Sequence, residues 1–360
     1  MRVLYVLDRG ILGGIQRHTQ CLANCLKDVC DVAVCIVGDR GPLYDQMLAD
    51  GVCVYALDCR NGHDWKLFGR FERILKEFKP DIIHAQVLPA FCRLWLRLRH
   101  PEIPIIVSLH TPAPSRRTTL DCLLGFVFGC KVAYYLPVSQ ATWDGFRRLH
   151  PEAKGEVFYN PVKIWNRERG PESRKLSNFV VGMVGRNADQ KDWPSFRDVV
   201  SKVEGIESWG VGVTLEEARE MFGDDARSVQ WKGPQKNGRE WIGRMGLFIL
   251  TSKWEEMPTV VLECFAERTP ICGFIPRGGM REILSYSTGA LKEVFIEERD
   301  CDKLADIVLK ILNNDDLRRR IVEDGWQIVS NHFDVERSCR GRLMEIYSMM
   351  LTNQADKMLY

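Results

Sequence analysis

Short apolar runs alternate with amphipathic stretches along this chain, and the alternation restarts once. Runs at 3–7, 32–37, 52–57, 81–85, 105–109 and 132–138 have the length and near-continuous apolar character of strands buried on both faces. Helical patterns fall between most of them. That order predicts βαβ units with right-handed crossovers, hence a doubly wound parallel sheet. A second series follows at 179–185, 210–213, 228–231, 247–250 and 271–274. At 360 residues the chain is too long for one ordinary core and comfortable as two. We expect an α/β fold with domains over residues 1–165 and 179–335. A polar linker over 166–178, broken at Gly170-Pro171, joins them, and residues 336–360 form a terminal helix. The amphipathic pattern of that helix spans 333–351.

The net charge of +2 argues against a general nucleic-acid binder. It hides an asymmetry: residues 1–165 carry 21 Lys and Arg against 16 Asp and Glu, and residues 166–360 carry 29 against 32. The first half is the better candidate for an anionic partner. Thirteen scattered cysteines, an odd number, predict reduced thiols and a cytoplasmic setting. Cys35, Cys53 and Cys272 sit in apolar runs, where Cys packs as a small hydrophobe. With no C-x-x-C pair, a structural zinc site is not expected. Residues 3–7 read as a strand, so no secretory leader is expected; no apolar stretch reaches bilayer length, and the best, 122–130, is far too short.

Ligands of doubly wound sheets bind beyond the carboxyl ends of the strands. The run 247–250 leads into Glu255-Glu-Met-Pro-Thr-Val-Val-Leu-Glu263, in which Pro258 suits a first helical position. Glu255 then precedes a helix and Glu263 lies about one turn inside it. The N–H groups around Met257, Pro258, Thr259 and Val260 make an anion site at the positive end of the helix dipole. Carboxylates flanking a phosphate cradle suit a polyhydroxyl ligand bearing a diphosphate. After the run 179–185 come Arg186 and, five residues later, Lys191. They read either as a grip on a diphosphate, fork plus point charge, or as a solvated loop. Gly13 and Gly14 open a helix after the first strand, but the spacing is not G-x-G-x-x-G, which disfavours dinucleotide binding. They serve a ligand or a tight turn. His110 ends the run 105–109; it reads as a ligand-edge residue or as a histidine satisfied by backbone. Asp300 and Asp302 could suggest a metal pair, but they sit where a helix begins, and capping is the expected role.

Taken together, Gly185-Arg186 with Lys191, then Glu255 to Glu263 after its strand, resemble the retaining glycosyltransferases of family 4, which have the GT-B fold. The stretches 79–84, 138–140, 157–162 and 278–282 also resemble that family, so the likeness spans nearly the whole chain. One position departs: where the family commonly has Gly, this chain has Glu256. The resemblance implies two Rossmann-like domains facing each other across a cleft, with an acceptor domain first, a donor domain second and the last helix returning to the first. It implies that Glu255 reaches the donor sugar, Glu263 holds the ribose, and Met257 to Val260 bind phosphate and sugar. Arg186 and Lys191 fall on the leaving diphosphate, Lys232 and Gly233 on the base pocket. Gly13 and Gly14 face the phosphates, and His110 lies near the sugar. His84 is more often structural in the family.

The implied activity is transfer of a sugar with retention from a nucleotide sugar, UDP by family frequency, to a glycan or lipid-linked acceptor of the cell envelope. No cofactor and no metal are expected, since Arg186, Lys191 and the helix N-terminus would meet the charge of the leaving group. The leaving phosphate would take the acceptor proton, so Glu255 would orient the sugar and His110 would bond the sugar or its phosphate. Basic residues on the pattern 65–78 (Lys66, Arg70, Arg73, Lys76), with Arg93, Arg97, Arg99 and Arg116-Arg117, could dock on an anionic membrane or be solvated faces of core helices. Rival readings are a non-catalytic nucleotide-sugar binder, for which Glu256 speaks, and a nucleotide-sugar epimerase. A glycogen-type phosphorylase would need a far longer chain.

Overall fold

The computed structural model describes residues 1–11, 13–59, 66–88, 90–111, 134–165 and 179–358. Trp65, the Arg116-Arg117 cluster, the stretch 122–130 and the expected linker over 166–178 lie outside the described residues. The chain forms two compact units, Met1–Pro161 with Val335–Tyr360, and Val162–Asp334.

The first unit holds β1 (Arg2–Leu7), β2 (Asp31–Ile36), β3 (Cys53–Ala56), β4 (Ile82–Ala85), β5 (Ile105–Leu109) and β6 (Tyr134–Pro137). They form one parallel sheet in the order β3-β2-β1-β4-β5-β6. The chain builds outward from β1 on one side and then from β4 on the other, so the switch point lies between them. Strand alternation divides the core: Val3, Tyr5 and Leu7 pack on one face, Leu4 and Val6 on the other. Leu343, Ile346, Tyr347 and Met350 of the helix Arg340–Met358 complete the first face. Tyr347 also anchors it by polar contacts. Its hydroxyl lies 2.9 Å from that of Tyr5 and 2.7 Å from Nδ1 of His84, whose Nε2 is 2.9 Å from Ser108 Oγ. His84 is thus buried scaffolding.

The second unit holds β7 (Val180–Val184), β8 (Glu207–Val211), β9 (Gln230–Trp231), β10 (Leu247–Leu250), β11 (Trp254–Glu255), β12 (Ile271–Phe274), β13 (Arg277–Gly278) and β14 (Phe295–Ile296). Its main sheet is parallel in the order β14-β12-β10-β7-β8-β9, and β11 pairs with β13 as a separate ladder. Some of its helix starts carry side-chain caps. Thr214 and Glu217 form a capping box on Leu215–Phe222, and Asn314 caps Asp315–Ile328. Asp300 accepts from the N–H groups of Asp302 and Lys303, so Asp300 caps the helix Cys301–Leu312.

Three details differ from the sequence reading. The final helix starts at Arg340, not 333, because Val329–Phe333 and Val335–Cys339 form wide π-helical turns around an extended Asp334. Val162 N–H donates to Phe333 O at 2.8 Å and draws that backbone out of the helical path. Pro258 is the cap residue rather than the first helical residue of Thr259–Ala266. Cys53 is exposed, since β3 is the outer strand, whereas Cys35 and Cys272 are buried thiols as their apolar runs suggest. Among the described residues no helix is long and apolar enough to cross a membrane.

Candidate active site

The candidate residues of the second unit gather at the carboxyl edge of its sheet. β7 ends at Val184, and Gly185 lies beneath the side chain of Lys191: a Cβ on Gly185 would stand 3.1 Å from Lys191 Cγ. Arg186 follows, exposed, with no side-chain partner among the described residues. Its carbonyl accepts from the Trp193 indole N–H at 3.2 Å, which fixes the backbone there. The short turn Asp189–Lys191 then closes on Asp192, held in the left-handed region at φ 54°. Asp192 caps the helix Trp193–Ser201 and accepts from Ser195 Oγ at 2.7 Å.

That turn is zipped to the segment after β10. Lys253 N–H donates to Gln190 O at 2.8 Å, and Gln190 Nε2 donates to Trp254 O at 2.7 Å. The zipper brings Lys191 Nζ to 2.5 Å from Glu255 Oε1, an ion pair whose side chains are only 15% and 10% exposed. Gln190 Nε2 approaches the other carboxylate oxygen at 3.4 Å. The Thr251 hydroxyl, between the carbonyls of Lys191 and Asp192 (3.0 and 3.1 Å), adds a second tie.

Arg299, just after β14, is the third tie. Its guanidinium donates to Ser252 O at 3.1 Å, to Thr251 O at 2.5 Å and to the Asp192 carboxylate, and it covers the Phe274 ring at 4.6 Å. One planar fork thus holds both loops that carry Lys191 and Glu255. Sequence reading missed Arg299 because it stands in a charged run, Glu297-Glu298-Arg299-Asp300, that looks solvated. Asp192 was missed for a similar reason. Its left-handed backbone has no local signature beyond an acidic residue before a helix.

Behind Glu255, β13 supplies a wall. Gly279 N–H donates to Glu255 O at 2.9 Å, and Gly278 sits at φ 114°, where a Cβ would come within 2.0 Å of that oxygen. Only glycine fits. Glu256 is absent from the described non-glycine residues with positive φ, so the departure from the family's Gly imposes no left-handed strain. Burial, reinforced by Glu255 and opposed by Lys191, raises the Glu256 carboxyl above its ordinary range.

Past Glu256, the helix Thr259–Ala266 starts at Pro258 with no side-chain cap. Among the described residues no side chain takes its first N–H groups, and Val261 N–H turns back to Pro258 O at 2.9 Å. Met257, Pro258 and Val260 are buried, while Thr259 and Glu263 are half-buried. Lys232 and Gly233 follow β9 and stitch the same edge. Gly233 N–H donates to Val213 O at 3.0 Å and Gly212 N–H to Gly233 O at 2.9 Å, while Gly212 itself packs on Gly185 O. The Lys232 ammonium lies 5.0 Å from the Trp209 ring and 2.7 Å from Gln230 Oε1.

Gly13, Gly14 and His110 belong to the first unit. Gly13 precedes the helix Gly14–Leu26 at φ −152°, and a Cβ there would meet Gln16 Oε1 at 2.8 Å; Gly14 has open space around it. His110 Nε2 is 2.9 Å from Gln86 Oε1, a side-chain partner rather than backbone, and burial lowers its pKa to about 4. It is therefore neutral at pH 7. Among the described residues no cluster of His, Cys, Asp and Glu has the arrangement of a metal site.

Comparison with known proteins agrees with this architecture. Residues 12–165 match the family described as Glycosyltransferase Family 4, and residues 178–314 match Glycosyl transferases group 1. The lipopolysaccharide core biosynthesis glycosyltransferase LpsE of Rhizobium meliloti is 23% identical over 161 residues, 44% of this chain and 46% of that protein. The capsular polysaccharide biosynthesis glycosyltransferase CapM of Staphylococcus aureus is 22% identical over 188 residues, 49% of this chain and 48% of that one. The chain thus spans about half the length of these curated relatives. The crystal structure of Anabaena HepE with UDP and glucose superposes with a TM-score of 0.76 at 17% identity, covering 97% of this chain and 100% of that one. The fold is GT-B. Each half of the chain thus matches a glycosyltransferase model, on a GT-B fold.

Proposed function

We propose that the chain is a retaining glycosyltransferase of family 4 that moves a sugar from a nucleoside-diphosphate sugar, UDP first, to a glycan or lipid-linked acceptor of envelope polysaccharide synthesis. The observation that carries this reading is the Lys191–Glu255 pair, set beside the uncapped N-terminus of Thr259–Ala266. A diphosphate placed there takes Lys191 from Glu255 as its counter-ion, adds the exposed Arg186, and meets the helix N–H groups. The carboxylate so released is free to bond sugar hydroxyls. Charge that develops on the leaving diphosphate is stabilised by groups already in place, which needs no metal and no cofactor. The leaving phosphate takes the acceptor proton, Glu263 holds the ribose, and Lys232 with Gly233 borders the base.

Support for a UDP-sugar donor and a surface-glycan acceptor comes from the proteins it resembles: HepE binds UDP and glucose, and LpsE and CapM are named for lipopolysaccharide and capsule synthesis. On the first unit, Lys66, Arg73, Arg97, Leu98 and Arg99 are exposed, side chains of the kind that suit an anionic membrane or a lipid diphosphate. Arg70 is not part of it, since it donates to Leu57 O at 2.6 Å. The test is product analysis with UDP-glucose, UDP-galactose and UDP-N-acetylglucosamine. A glycosyltransferase releases UDP with its sugar on acceptor or water. Interconversion of the sugar nucleotides without UDP release would make the protein an epimerase instead.

A further inference from the structure

Glu256 stands between the two parts of the candidate donor loop. Glu255, before it, closes β11, and Met257 and Pro258, after it, lead into the helix Thr259–Ala266. Its backbone is held close to β13: a Cβ on Gly278 would stand 3.3 Å from Glu256 Cα, and Gly279 N–H donates to Glu255 O. The side chain is half-buried. Among the described residues its carboxyl takes a hydrogen bond only from its own N–H and forms no ion pair. Glu255, by contrast, holds the Lys191 ammonium at 2.5 Å.

The charges that act on the Glu256 carboxyl are those of its two neighbours. Glu255 opposes its ionisation and Lys191 favours it. One cation thus serves two adjacent carboxyls. The backbone makes no demand on the residue type, since φ at Glu256 is not in the left-handed region. What Glu256 contributes is its charge, and half-burying a carboxyl without a counter-ion of its own is costly.

On the donor reading above, a diphosphate draws Lys191 away from Glu255. Glu255 and Glu256 are then neighbouring carboxylates without a shared cation, at the end of the site that takes the sugar. A sugar hydroxyl can donate to either, and an ammonium would pair with them. A further carboxylate would meet like charge in a partly buried setting, where salt screens repulsion poorly. Building repulsion against the wrong ligand is one of the two routes to specificity. We propose that Glu256 is a specificity-determining residue that, beside Glu255, excludes donor sugars bearing a carboxylate and confines the site to uncharged or amine-bearing sugars. The inference rests on the donor reading and adds the charge of the sugar to it.

The test compares sugar nucleotides that differ only at C6, hydroxymethyl against carboxylate: UDP-glucose with UDP-glucuronate, and UDP-galactose with UDP-galacturonate. Affinities are measured by calorimetry on the full chain and on Glu256→Gln and Glu256→Gly, at pH 8 to keep the carboxyls ionised, with UDP as the reference. The diphosphate contacts are common to each pair, so the ratio within a pair isolates the sugar. The wild type should bind the neutral member of a pair at least about thirtyfold more tightly than the acidic one. Each variant should narrow that ratio about tenfold, chiefly by strengthening the acidic member. A merely structural role would weaken both members and UDP alike and leave the ratio where it was. Equal affinities within both pairs in the wild type, or a ratio unchanged in both variants, overturns the inference while UDP binding keeps the donor site. Absence of UDP binding removes the donor reading and this inference with it.

Discussion

Lys191 and Glu255, 64 residues apart in sequence, are joined by a 2.5 Å ion pair that shields both charges from water. On the proposed donor reading, a diphosphate sugar would separate the two groups. Removing one partner leaves the other charge half-buried and uncompensated, which costs about 3 kcal/mol. Lys191→Ala and Glu255→Gln should each lower the stability of the second unit. The double variant Lys191→Met/Glu255→Gln should recover most of the loss, with a coupling energy of about 1–3 kcal/mol in calorimetric unfolding.

Arg299 holds the two loops together, so its loss should act on the site before it acts on the core. Arg299→Ala is expected to weaken UDP binding about tenfold, the scale of losing charge-assisted bonds. Arg299→Lys should recover little, because a point charge cannot span Asp192, Thr251 and Ser252. Calorimetric titration of both variants decides this.

Gly278 and Gly289 make a matched pair. Both have positive φ, but only Gly278 has a neighbour against its missing Cβ, the Glu255 carbonyl. Alanine at either should store about 1–3 kcal/mol of backbone strain. Only Gly278→Ala should also displace Glu255 and abolish UDP release from a UDP-sugar, while Gly289→Ala keeps turnover at the cost of Tm.

The first unit should weaken in mild acid. Burial depresses His84 to about 3 and His110 to about 4 from an ordinary 6.5. In that window the unfolded chain binds protons that the folded one refuses, so stability rises with pH. Unfolding followed between pH 7 and 4 should show the loss begin near about pH 6.5 and grow toward about pH 4. His84→Phe and His110→Phe should flatten the profile.

Much of the scaffold was legible because buried parallel strands read as unbroken apolar runs: 3–7, 105–109 and 247–250 became β1, β5 and β10. The β11–β13 ladder was not, since two residues per strand make no pattern, and yet it sets the backbone of Glu255. Lys191 and Glu255 could be nominated singly, but their pairing depends on the Gln190–Lys253 zipper, a backbone contact with no side-chain signature. Pro258 was placed one residue too far into its helix because a proline serves equally before the first turn or in it.

The most direct test of the donor site is a calorimetric panel of UDP, GDP, ADP and NAD, without added metal, on the wild type and on Arg186→Ala/Lys191→Ala. The account predicts that one nucleoside diphosphate, UDP first, binds the wild type and that the double variant loses about a hundredfold or more of that affinity. Binding that survives the double substitution, or no nucleotide binding at all, would contradict it.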